Sequence, residues 1–190
     1  MAASWATDLI LIRHAPALTE GRLCGRRDVA ADCSDPAALA AVRAQVGTPP
    51  RLITSGALRA RQTAEALWSG VPGIIEAAFL EQDFGEWEGQ PADALPDLGA
   101  LTPDALAQFR PPGGESFGDL CRRIVPALEA LAGGETTVVV AHAGTVRAAL
   151  ARAIGSQAGA LSFEVAPLSV TRLRITSAGW SVAGVNWTGP

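Results

Sequence analysis

The chain has 190 residues, 48% of them hydrophobic, and its 15 basic and 19 acidic side chains leave a formal net charge of −4. That size and apolar content fit one domain with a full core and exclude a disordered chain, and mild acidity gives no pull toward nucleic acid or an anionic membrane. Every basic residue is arginine, which excludes a Walker-type phosphate loop and a Schiff-base lysine.

Residues 1–8 lack the basic start of a signal peptide, and the apolar run after them is too short for one, so a cytoplasmic protein is expected. That run, Leu9-Ile10-Leu11-Ile12, leads directly into Arg13-His14-Ala15 and reads as a strand of a parallel sheet covered on both faces. Residues 16–35 are loop-like. They hold Cys24 and Cys33, which with Cys121 make a sparse, odd set that suits reduced thiols better than a disulfide framework or a zinc knuckle. Asp35-Pro36 starts a helix over 36–46, stopped by Gly47, Pro49 and Pro50. Residues 51–54 form a second short strand, Ser55 is placed to cap a helix over 57–68, and residues 73–77 suggest a third strand.

Residues 79–114 differ in character: acidic, tryptophan-bearing and rich in Pro and Gly, with a short helix near 102–109. An excursion this long is expected to act as a lid over a site. Ser116 opens a helix with Asp119 three residues on, kinked at Pro126 and ended by Gly133-Gly134. The β-branched run 136–141 is the clearest strand, and it ends at His142 before a helix over 144–154. Residues 168–175 and 180–187 read as a closing hairpin, and the last stretch without charge, 175–190, is too short and polar to span a membrane. Strands alternating with helices give an α/β fold, a three-layer sandwich with a mostly parallel central sheet flanked by helices, in a single domain.

Three strand-to-helix junctions carry the polar chemistry: Arg13-His14, Ser55 with Arg59 one turn into its helix, and His142-Ala143-Gly144. In a parallel sheet all three emerge on one edge, beyond the carboxyl ends of the strands, where ligands bind. His14 and His142 are the only histidines in the chain. Two arginine forks and two imidazoles around one point fit a phosphate, and a neutral histidine can attack phosphorus and carry the phosphoryl group. Such a site needs neither metal nor cofactor, because the cations supply the charge stabilisation. Glu81, at the mouth of the excursion, is the candidate proton donor to the leaving oxygen. A rival lies in Gly114-Glu115-Ser116-Phe117-Gly118, which matches the nucleophile elbow of a serine esterase, but Pro111-Pro112-Gly113 precedes it where a strand is required.

Arg13-His14-Ala15 resembles the Arg-His-Gly signature of the histidine phosphatase, or phosphoglycerate mutase-like, superfamily. Residues 54–64, 80–89 and 138–147 are similar to three further segments of that family in the expected order. The resemblance implies a phosphoglycerate mutase-like fold, Arg13 and Arg59 on the phosphate, His14 as nucleophile, His142 beside it and Glu81 as proton donor. Ala15 departs from the family glycine. Residues 23–29 and 111–116 look like the α-ribazole phosphatase branch, which brings in Arg26 as a phosphate or substrate contact and α-ribazole 5′-phosphate as a substrate to consider. The expectation is a metal-independent phosphatase acting on a small phosphorylated metabolite, with a homodimer left open. The alternatives are phosphoglycerate mutase-type transfer, a protein phosphohistidine phosphatase, and a non-catalytic phospholigand-binding module.

Overall fold

The computed structural model describes residues 5–189; residues 1–4, half of the stretch read as lacking a signal peptide's basic start, and Pro190 lie outside the described residues. The strands are β1 (Ala6–Arg13), β2 (Arg51–Thr54), β3 (Gly73–Ile75), β4 (Thr137–Ala141), β5 (Val170–Thr176) and β6 (Gly179–Trp187). They form one sheet in the order β3-β2-β4-β1-β5-β6. The first four run parallel, and the closing hairpin joins β1 antiparallel through β5.

Alternation along the central strands divides the core in two. Leu9, Leu11 and Val139 pack with Leu120, Ile124, Leu128 and Leu150. Their neighbours Ile10, Ile12, Val138 and Val140 pack with Leu39, Val42, Ala64 and Leu67. The first set of helical residues belongs to α4 (Phe117–Glu129) and α5 (Ala143–Ile154), the second to α1 (Pro36–Val46) and α2 (Leu58–Leu67). Sheet residues of both parities are buried, which makes the expected three layers and explains why the strands read as unbroken apolar runs.

Local signals set most helix starts. The Asp35 carboxylate accepts from the amides of Ala37 and Ala38, and Ser116 and Asp119 complete a reciprocal capping box. α3 (Pro103–Gln108) is capped by Thr102. α6 (Gln157–Leu161), capped by Ser156, was not anticipated, because five residues carry too little periodicity. Two expectations are corrected. α4 continues past Pro126 but ends at Glu129, and the amides of Gly133 and Gly134 donate to Thr7 Oγ1 at 3.0 and 2.8 Å instead of closing the helix. α2 begins behind Ala57, which has no capping side chain; the Ser55 hydroxyl faces His142 Nε2 and reaches only the Ala57 amide, at 3.4 Å, while Asp28 Oδ1 accepts the Leu58 amide at 2.7 Å.

Candidate active site

β4 lies between β1 and β2, so the carboxyl ends of three parallel strands stand side by side. The His14 amide donates to Ala141 O at 2.9 Å and the Ser55 amide to Val140 O at 3.3 Å, which ties the three junctions together. The two histidine rings meet edge to face with centroids 5.1 Å apart. His14 is 5% exposed, His142 0% and Arg59 1%, so the cluster is screened from bulk water. From the first turn of α2, Arg59 donates through Nε to His14 Nε2 at 3.3 Å, through Nη2 to Gly25 O at 2.7 Å and through Nη1 to Arg27 O at 3.1 Å. Arg13 Nη1 donates to Val165 O at 2.6 Å.

These bonds select a tautomer. His14 Nδ1 lies 2.6 Å from Ala15 O, which can only accept, so Nδ1 carries the hydrogen. Nε2 receives the Arg59 N–H and therefore keeps its lone pair. Burial pushes His14 down to about 4; the Ala15 bond opposes that shift, while the Arg59 and Arg13 charges add to it. His142 is held well below the usual histidine range, first by burial and then by Arg59, His14, Arg13 and Arg26. Its Nε2 lies 2.8 Å from Ser55 Oγ, which also accepts the Ala57 amide at 3.4 Å. The serine hydroxyl can donate to Nε2 or accept from it, and when it donates the His142 proton sits on Nδ1. Among the described residues, the donors Arg13 Nε and Arg26 Nε and the ring nitrogen His142 Nδ1 are buried without a protein partner. Buried donors in that condition are costly unless something accepts from them, and a tetrahedral oxyanion presents several acceptors at once.

Glu81 closes the cluster from the side of the excursion. Its carboxylate accepts from Gln82 N at 2.9 Å and from Gly144 N, in the first turn of α5, at 3.2 Å. A Cβ on Gly144 would stand 2.1 Å from Glu81 Oε1, so glycine lets the carboxylate lie against the start of α5. Arg123 of α4 donates to Ala78 O, Leu80 O and Glu81 O at 2.6, 3.0 and 3.3 Å and pairs with Glu115 at 2.8 Å, so the Glu81 backbone is gripped from below. Arg26, half-buried, stands at the rim with Nη2 3.5 Å from Glu115 Oε1.

The fold therefore gathers Arg13, His14, Arg59, His142 and Glu81, with Arg26 beside them through Glu115. Ala15 is buried and is not among the residues with positive φ, so a Cβ is accommodated at the position of the family glycine. Its amide donates to Thr63 Oγ1 at 2.9 Å, and Thr63 donates back to Arg59 O at 2.7 Å. Sequence reasoning missed Thr63, Ser55 as the partner of His142, and Arg123. Thr63 alone carried a signal, lying one turn after Arg59 on the buried face of a helix. Ser116 Oγ is bonded to Asp119 with no strand before it, which removes the esterase reading. Among the described residues no metal-ligating group of three His, Cys, Asp or Glu side chains occurs, and no helix is long and apolar enough to cross a membrane.

The profile of the histidine phosphatase superfamily (branch 1) matches residues 9–188. The chain is 32% identical over 139 residues to 6-phosphofructo-2-kinase/fructose-2,6-bisphosphatase 1 of Mus musculus, covering 71% of this chain and 29% of that protein. It spans only 29% to 34% of the length of the first curated relatives it matches. The mycobacterial glucosyl-3-phosphoglycerate phosphatase Rv2419c superposes with a TM-score of 0.81 at 25% identity over 96% of this chain and 100% of that one. A putative alpha-ribazole-5′-P phosphatase from Escherichia coli shares the fold, with a TM-score of 0.78 at 23% identity over 95% and 96% of the two chains.

Proposed function

The chain belongs to the histidine phosphatase superfamily, and from that membership we propose that it hydrolyses a small-molecule phosphomonoester through a phosphohistidine. The observation that carries this reading is the state of His14: buried, neutral, and hydrogen-bonded so that the Nε2 lone pair faces Arg59. The Arg59 N–H turns from Nε2 to a phosphoryl oxygen, the freed Nε2 lone pair attacks phosphorus, the bond to the ester oxygen breaks, and Glu81 delivers the proton that turns the departing alkoxide into an alcohol. The new cation on His14 is supported by the Nδ1–H bond to Ala15 O. Arg13, Arg59 and the His142 Nδ1–H hold the phosphoryl oxygens, where fixed donors favour the charge that spreads in the transition state. Water then attacks phosphorus, Glu81 takes its proton, and the P–N bond breaks to release phosphate and restore His14.

Arg26, tied to Glu115 at the rim, is the residue we assign to the part of the substrate beyond the phosphate, with the excursion 79–114 as the wall around it. α-Ribazole 5′-phosphate is one substrate of this class to test, on the likeness of residues 23–29 and 111–116. Glucosyl-3-phosphoglycerate, acted on by the neighbour named above, is another. The test is phosphate release from a panel of such esters by wild type and His14→Ala, with trapping of acid-labile phosphate on the protein. Release and trapped phosphate should both vanish in the variant. Retained turnover would refute the covalent route, and transfer between positions of 3-phosphoglycerate without phosphate release would replace hydrolysis by a mutase reaction.

A further inference from the structure

Arg59 is the residue through which α2 reaches His14, yet among the described residues its guanidinium forms no ion pair; it is bonded to two backbone carbonyls, Gly25 O and Arg27 O. The loop that supplies them is held from its other side. The Glu88 carboxylate accepts from the amides of Gly25 at 3.1 Å, Arg26 at 2.7 Å and Arg27 at 3.1 Å, and from Phe84 N at 3.2 Å. Gly25 O and Arg26 N belong to the same peptide unit. That unit lies between the two charges, its carbonyl bonded to the guanidinium and its N–H to the carboxylate, an orientation that both charges favour. The approach is close enough that a Cβ on Gly25 would stand 1.9 Å from Gln82 O and 2.7 Å from Glu88 Oε1.

We propose that Glu88 is a positioning residue for phosphoryl transfer, which holds Arg59 against the nucleophile by clamping residues 25–27 from behind. The role rests on the phosphatase reading above. Glu88 touches neither histidine; it acts only through the loop, and it makes the excursion part of the frame of the site. Burial pulls the Arg59 guanidinium down, and Glu81, Asp28, Cys24 and, least of the four, Glu88 oppose that. The charged or titratable groups that bear on His14 are Arg13 of its own strand, Arg59 of α2 and His142 beyond β4, with Glu81 acting on both arginines. Loosening the clamp withdraws the Arg59 N–H from Nε2 and makes His14 easier to protonate.

The test is Glu88→Gln, which keeps the shape but loses one acceptor oxygen and the charge, measured with and without Arg59→Lys. We expect kcat to fall about 10- to 100-fold, the loss of one charge-assisted bond. KM should change little, and the acid limb of the pH–rate profile should move upward. In the Arg59→Lys background Glu88→Gln should cost little more, since both substitutions break one chain of contacts. Glu88→Asp, which keeps the charge, should recover part of the lost kcat; if the glutamine variant does not fold, the same cycle with aspartate decides the matter. An unchanged kcat, or a loss that adds in full to that of Arg59→Lys with the acid limb in place, overturns the proposal. Failure of the phosphatase reading shows separately, as wild-type protein without His14-dependent phosphate release.

Discussion

Gly144→Ala tests the proposed proton donor, Glu81, without replacing it. Gly144 sits in the first turn of α5, where a helix favours alanine by roughly 1 kcal/mol, so the substitution does not threaten the helix itself. The new Cβ, however, falls 2.1 Å from Glu81 Oε1, 3.2 Å from its Cδ and 3.3 Å from Leu120 Cδ1. The carboxylate must retreat by roughly 1 Å, a displacement of the size that costs about 100-fold when it falls on a positioned catalytic group. The bond from the Gly144 amide, 3.2 Å in the native site, goes with it. On the proposal that Glu81 protonates the leaving oxygen, the loss should depend on the leaving group. With an alkyl phosphate we expect kcat/KM to drop about 100-fold, within the range that general acid catalysis supplies. With p-nitrophenyl phosphate, whose phenolate departs without a proton, it should drop only a few-fold in the order of magnitude of an altered contact. Steady-state kinetics on the two esters, with thermal melting as control, makes the measurement. Equal losses on both would show that Glu81 is not the acid, and no loss on either would place it outside the reaction.

The remaining expectations concern the same frame. His14 is neutral down to about pH 4, so the acid limb of kcat/KM should fall near pH 4 and not near the ordinary histidine value of about 6.5; a limb at 6.5 would refute the buried, neutral nucleophile. The same depression acts on stability: as pH falls from about 6.5 toward 4 the unfolded chain binds protons that the folded chain refuses, so denaturation midpoints should decline across that window. Ser55→Ala removes the partner of His142 Nε2 and frees its tautomer, and kcat should fall about 10-fold, checked on any ester that wild type turns over. Thr63→Val strands the buried Ala15 amide and should destabilise the fold by about 1–3 kcal/mol in urea denaturation, with a loss of kcat because Ala15 O orients His14.

Much of this protein is written locally. Four apolar residues before Arg13-His14, and a β-branched run before His142, are enough to define buried parallel strands, because only a sheet covered on both faces accepts such runs. The caps Asp35, Thr102 and Ser116 satisfy amides within three residues of themselves, so their effect is legible without a fold. The two histidines and Arg59 are legible for a related reason: each follows a strand, and parallel strands share one functional edge. What tertiary structure alone decided are the bonds between distant segments. Nothing near Ser55 announces that its hydroxyl belongs to His142, nor does anything near Arg123 announce that it carries the backbone of Glu81. The tautomer of His14 depends on Arg59, and the place of Arg59 depends on a loop pinned by Glu88. Residue types and their spacing determined which groups would stand at the sheet edge; the orientation and protonation of those groups were decided by burial and by hydrogen bonds across dozens of residues, which no local pattern encodes.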